Sequence, residues 1–246
     1  MEKISAGVET HVVDIGGMQF GLEELPRNIL NIKAIEELHV GENKFRIVPP
    51  EIGKMFRLQR LSLNYNQIRM MPDEMENLQA LRYLDVSNNT LVSLPESVVN
   101  LPNLKEIAAD YNLMRSLPSL VHLTALTSIS VVGNRIASLE SSEANQGLFK
   151  NLTALTSISV VGNRIASLES SEANQCAMLE HIWIAHNDMD PDVLPEWFYH
   201  RSQAETMFLL RMGAPHAHIP FLPYTLMALV VYIDYPLGEF EEEGNP

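Results

Sequence analysis

The sequence predicts an α/β repeat solenoid: a curved array with a parallel sheet on its concave side and short helical or irregular returns on its convex side. Two observations predict it. The pattern LxxLxLxxNxLxxLP occupies residues 35–49, 58–72, 81–95 and 104–118, with other apolar residues in some leucine slots, and recurs without the proline from Leu126, Leu155 and Leu179. In-phase asparagines then fall at 43, 66, 89, 112, 134, 163 and 187, in steps of 23, 23, 23, 22, 29 and 24 residues. A fixed period of this length marks stacked units, none of which can bury its apolar face alone.

Residues 13–20 read as a degenerate first unit, with Val13, Ile15 and Phe20 in apolar slots and Met18 where asparagine stands elsewhere. Residues 1–34 are therefore expected to form an N-terminal cap that includes this unit, and residues 35–202 the array proper. Within each unit the two leucines of LxL point to one face of a short strand and the residue between them to the other. The asparagine falls where the chain leaves the sheet. Its amide can satisfy backbone groups that the turn would otherwise bury unpaired. Met18 cannot do this, which suits a unit with no neighbour on one side. The Leu-Pro pairs favour extended or turn geometry before the proline, so residues 51–57 and 73–79 are expected to be short helical or 3₁₀ returns.

Over residues 8–202 the chain resembles the leucine-rich repeat family. The 23-residue unit with Leu-Pro after the asparagine is most similar to the intracellular class found in Ras-suppressor and scribble-type scaffolds. The resemblance implies the solenoid architecture and names no partner.

Residues 123–146 and 152–175 are identical, LTALTSISVVGNRIASLESSEANQ, 24 residues offset by 29. The other units share only framework positions, so this identity reflects a recent or an engineered event. Without residues 123–151, Leu104 and the next unit start would stand 22 apart (51 − 29). The copy therefore lengthens the array by one unit and keeps its register.

After Leu194 the pattern stops, and residues 203–246 are expected to form a C-terminal cap and acidic tail, covering the last apolar edge. Residues 213–233 contain no Asp, Glu, Lys or Arg and are nominally long enough to span a bilayer. Pro215, Pro220 and Pro223 would break such a helix, so a buried cap is expected and a membrane contact is not. Glu239, Glu241, Glu242 and Glu243 make a solvated end.

Charge narrows the partners. Lys+Arg 17 against Asp+Glu 31 gives −14, which argues against a sequence-independent grip on nucleic acid. A single cysteine, Cys176, excludes an intrachain disulfide or a cysteine metal knuckle. With no secretory leader legible at the start, it points to an intracellular, cytoplasmic protein. No phosphate loop, dinucleotide glycine motif, zinc-protease helix, serine-hydrolase elbow or calcium loop is present, so no enzyme activity is expected. Cys176 reads as core packing. His216 and His218 could face the same way near His186, Asp188 or Asp190, but no third ligand at fixed spacing supports a metal. No cofactor is expected.

What remains is surface. The position between the two leucines reads Asp14, His39, Ser62, Asp85, Ala108, Ser130, Ser159 and Trp183, and the flanking positions add Arg60, Tyr83 and Glu106. Exposed aromatics are frequent anchors of protein interfaces. The candidate partner-binding residues are Tyr65, Tyr83, Asp85, Glu106, Asp110, Tyr111, His181, Trp183 and His186. The expectation is a non-enzymatic interaction module whose concave face binds a protein with a basic contact surface. The alternative is a structural subunit of a large intracellular assembly, docked through its C-terminal cap and solenoid edges. Oligomeric state is left open.

Overall fold

The computed structural model describes residues 11–17, 21–139, 151–166, 181–183 and 186–188. Each repeat contributes one three-residue strand: β1 (Val12–Asp14), β2 (Glu37–His39), β3 (Arg60–Ser62), β4 (Tyr83–Asp85), β5 (Glu106–Ala108), β6 (Ser128–Ser130), β7 (Ser157–Ser159) and β8 (His181–Trp183). All pair in parallel and in chain order. The register sets like position against like, Leu61 opposite Leu84 and Leu84 opposite Ile107. A parallel pair needs a crossover, and the convex half of each unit supplies it.

Those returns are short. Helical turns span Arg27–Leu30 and Glu96–Val99, and 3₁₀ turns span Pro50–Lys54 and Asp73–Asn77. Each follows directly on a proline (Pro26, Pro95, Pro49 and Pro72) with extended ψ. Segments of four or five residues have no helical stability of their own. They persist because Ile29, Ile52, Met75 and Val98 are fully buried against the strand leucines in one continuous core.

The asparagines knit the units together. The Asn66 amide oxygen accepts the Phe45 N–H at 3.0 Å. Its nitrogen donates to the carbonyls of Leu63 and Asn64 in its own turn, and of Val40 in the unit before. Asn89 repeats this with Ile68, Val86, Ser87 and Leu63. Every ladder asparagine thus serves the preceding unit. Asn43 supplies the first described unit, through Leu22 N–H and Ile15 C=O, and Met18 lies outside the described residues.

The two identical segments form separate neighbouring strands, with Ser128 opposite Ser157 and Ile129 opposite Ile158, so the array passes through the duplication in register. The expected cap at 203–246, with its charge-free stretch and acidic end, lies outside the described residues, as do Cys176, His216 and His218. Among the described residues no helix is long and apolar enough to cross a membrane.

Candidate functional site

Side chains alternate along each strand, so the residues either side of the buried central one project from the concave face. The parallel register stacks them into columns. One column runs Glu37, Arg60, Tyr83, Glu106, Ser128, Ser157, and the next runs His39, Ser62, Asp85, Ala108, Ser130, Ser159, Trp183; His181 stands opposite Ser157 in the backbone register.

This packing brings Tyr83, Asp85, Glu106 and Asp110 together. Burial first, and then the negative charges of Asp85, Glu106 and Asp110, hold the Tyr83 phenol above its ordinary value of 10.0. Arg60 pulls the other way: its guanidinium carbon stands 4.3 Å from the ring centroid. The phenol is therefore neutral at physiological pH, a hydrogen-bonding group set among carboxylates. Two of those carboxylates also tie the backbone. Asp110 accepts the Ser130 hydroxyl at 2.6 Å and the Val132 N–H at 2.8 Å, and Asp85 accepts the Ser87 N–H at 2.9 Å.

Tyr65 and Tyr111 do not join this cluster. They stand at the outer margin of the sheet, 56% and 60% exposed, each just before a ladder asparagine. Both have left-handed backbone, φ 51° and 52°, and the same slot is left-handed at Gly17, Glu42, Asn88, Gly133, Gly162 and His186. Side chains other than glycine and asparagine adopt this conformation at a cost. Here the chain must turn out of the sheet to deliver the asparagine inward. Gly133, Gly162 and Asn88 in a shared slot were the sequence signal for it. The Tyr111 ring packs onto the next unit: a Cβ added at Gly133 would meet its Cδ1 at 2.6 Å.

At the far end, Trp183 is half-buried and walls an open hollow of about 520 Å³, floored by Ser128, Ser130, Val132, Ser157, Ser159 and Val161. His186 is exposed beyond it. The duplicated units thus separate two groups of candidates, the tyrosine–carboxylate cluster on β4 and β5 and the residues of β8. Arg60, named among the flanking positions in the sequence, is the member left out of the candidate set. A cation in the column beside Tyr83 was its signal. Among the described residues no group of three His, Cys, Asp or Glu could hold a metal ion.

A family profile described as "Leucine-rich repeat region" matches residues 50–187. No match is found among curated proteins. Among solved structures the chain is similar to a plant peptide hormone receptor, RGFR1 in complex with RGF2, at 23% identity and TM-score 0.61, over 74% of this chain and 30% of that one. It is also similar to TLR13 in a complex with ssRNA13, at 19% identity and TM-score 0.63, over 77% and 27%. At these identities the likeness is one of fold, and the chain spans less than a third of either structure's length. Against the intracellular, cytoplasmic placement expected from the sequence stands the first of these structures, which is a peptide hormone receptor. The reason is physical. A solenoid core is continuous from unit to unit and needs no disulfides, so a single cysteine carries no information about compartment.

Proposed function

Because the chain belongs to the leucine-rich repeat family, whose repeat modules are non-catalytic interaction scaffolds, we propose that its concave sheet binds a protein partner through a basic contact surface. One observation carries the reading: Tyr83 lies half-buried on the sheet with Asp85, Glu106 and Asp110 around it. A lysine or arginine arriving there meets three carboxylates beside a ring on which Arg60 already stacks, so the attraction to a cation comes from the carboxylates. A polyanion meets repulsion at the same place. The hormone receptor of similar fold is itself in a peptide complex. The same reading organises the chain as a cap with a degenerate unit at 1–34, repeats at 35–202, and a second cap with an acidic tail at 203–246.

The test uses two labelled peptides of equal length, one alternating lysine with glycine and serine, the other glutamate in the lysine positions. The lysine peptide binds the full chain, and Asp85→Lys weakens it at least tenfold. Indifference of the lysine peptide to Asp85→Lys overturns the proposal.

A further inference from the structure

Six of this acidic chain's 17 Lys and Arg stand in a row on one flank. After each ladder asparagine the chain runs along the side of the solenoid, and the second residue of that run is buried: Phe45, Ile68, Leu91, Met114, Ile136 and Ile165. Its N–H is held by the next asparagine's amide oxygen, as in Phe45 to Asn66 and Met114 to Asn134. The residues on either side of it therefore face outward. These exposed positions hold Lys44, Arg46, Arg69, Arg115, Arg135 and Arg164. No Asp or Glu occurs in the first five residues after Asn43, Asn66, Asn89, Asn112, Asn134 or Asn163, in a chain with 31 acids against 17 Lys+Arg.

The flank is also ordered. Gln67 N–H donates to Phe45 C=O and Leu113 N–H to Leu91 C=O, both at 2.8 Å, so successive runs lie side by side. Equivalent positions are then about 5 Å apart. Arg46 beside Arg69, and Arg135 beside Arg164, are like-charge neighbours. Among the described residues none of the six cations is in an ion pair; the two pairs there, His11–Glu36 and His39–Glu37, lie elsewhere. Apolar side chains protrude between the charges: Ile47 and Met70 are 70% and 73% exposed and joined by a backbone bridge, and Val92 is 56% exposed.

A like-charge row and a protruding apolar row each raise the free energy of the unpartnered surface. One ligand chemistry relieves both. The geometry points to this flank as a second docking surface, for an extended acidic peptide segment that carries apolar side chains. Six runs at about 5 Å give about 24 Å, the reach of roughly seven extended residues. A duplex or an anionic bilayer is too broad for it. Either would press its charge against Asp73, Glu74 and Glu76 on the convex side and against the concave carboxylates. A single extended strand stays within the flank.

The experiment measures fluorescence anisotropy of a labelled peptide of four Glu-Leu-Ser repeats on the full chain. Binding is expected to weaken at least tenfold in Arg46→Glu/Arg69→Glu/Arg115→Glu and several-fold in Ile47→Ser/Met70→Ser, and to fall as salt rises from about 50 to about 200 mM. The Asp85→Lys variant, on the other face, is expected to bind the peptide as the parent does. If the triple reversal lowers the thermal midpoint, Arg46→Gln/Arg69→Gln reads the same surface, with a loss of at least threefold. Unchanged affinity in these variants overturns the inference. So does a loss of the same size for this peptide in Asp85→Lys, or tighter binding of a single-stranded oligonucleotide or phosphatidylserine vesicles.

Discussion

The guanidinium of Arg60 and the ring of Tyr83 face each other across the β3–β4 register, 4.3 Å from carbon to centroid. Arg60 is the one neighbour that lowers the Tyr83 pKa, against burial and three carboxylates that raise it. Arg60→Ala is therefore expected to move the Tyr83 ionisation further upward. Absorbance titration at alkaline pH, with Tyr83→Phe to assign the transition, measures it. Loss of the stacking contact on this partly exposed face should cost about 0.5–1 kcal/mol. An unmoved transition would show that the guanidinium is screened from the phenol.

The same raised pKa fixes a sign for stability. In the folded chain Tyr83 holds its proton more tightly than in the unfolded chain. Its contribution is fully present below the unfolded value, about 10, and is lost as pH rises through the folded one. Urea midpoints of the parent should fall more steeply above about pH 10 than those of Tyr83→Phe. Parallel curves would remove Tyr83 from the account.

The asparagine ladder predicts a graded response. Asn89 is buried and holds one backbone donor and three carbonyls across two units. Asn89→Ala should cost about 1–3 kcal/mol, because those groups stay buried without partners. Asn64 is half-buried on the concave face and accepts a bond from the Ser62 hydroxyl. Its replacement by alanine should cost under about 1 kcal/mol. Denaturation midpoints compare the two, and equal losses would break the ladder argument.

The ladder was legible in the sequence because it repeats: seven asparagines in phase leave one explanation for their spacing. Strand position followed from the LxL alternation, and the convex 3₁₀ turns from the prolines before them. The clustering of Tyr83, Asp85, Glu106 and Asp110 was legible for the same reason, since register converts sequence offset into distance. Tyr65 and Tyr111 were placed among the concave-face candidates as positions flanking the strand columns. The backbone turns left-handed there and sends them to the margin. The flank cations were not legible at all, because no motif joins residues from five separate units until the units are stacked.

Gly133 and Gly162 occupy the same slot in identical local sequence, with φ of 65° and 66°, but only Gly133 lies against Tyr111. Alanine at either position should cost about 1–2 kcal/mol for the left-handed backbone. Gly133→Ala should cost more, since its Cβ would meet the Tyr111 ring at 2.6 Å, whereas nothing approaches nearer than 3.6 Å at Gly162. Tyr111→Ala in the same chain should remove the difference. A double-mutant cycle on thermal midpoints isolates that contact, with the duplicate as its internal control.

The duplication also serves as a ruler for the concave face. Strands β5 and β8 are three steps apart, about 14 Å at 4.8 Å per parallel step. Deleting residues 123–151 removes one step and brings Trp183 to about 10 Å from the tyrosine–carboxylate cluster. It also removes half of the serine–valine floor between them. Neither group loses a residue, and the remaining units restack in register. A partner that touches both groups should then change affinity at least tenfold, and Trp183→Ala should weaken it by about 1 kcal/mol or more. A partner held by the cluster alone should ignore the deletion and Trp183→Ala, while Tyr83→Ala and Asp85→Lys still weaken it. Calorimetry of the lysine peptide against these four variants separates the cases. Indifference to all four changes would take the concave face out of consideration.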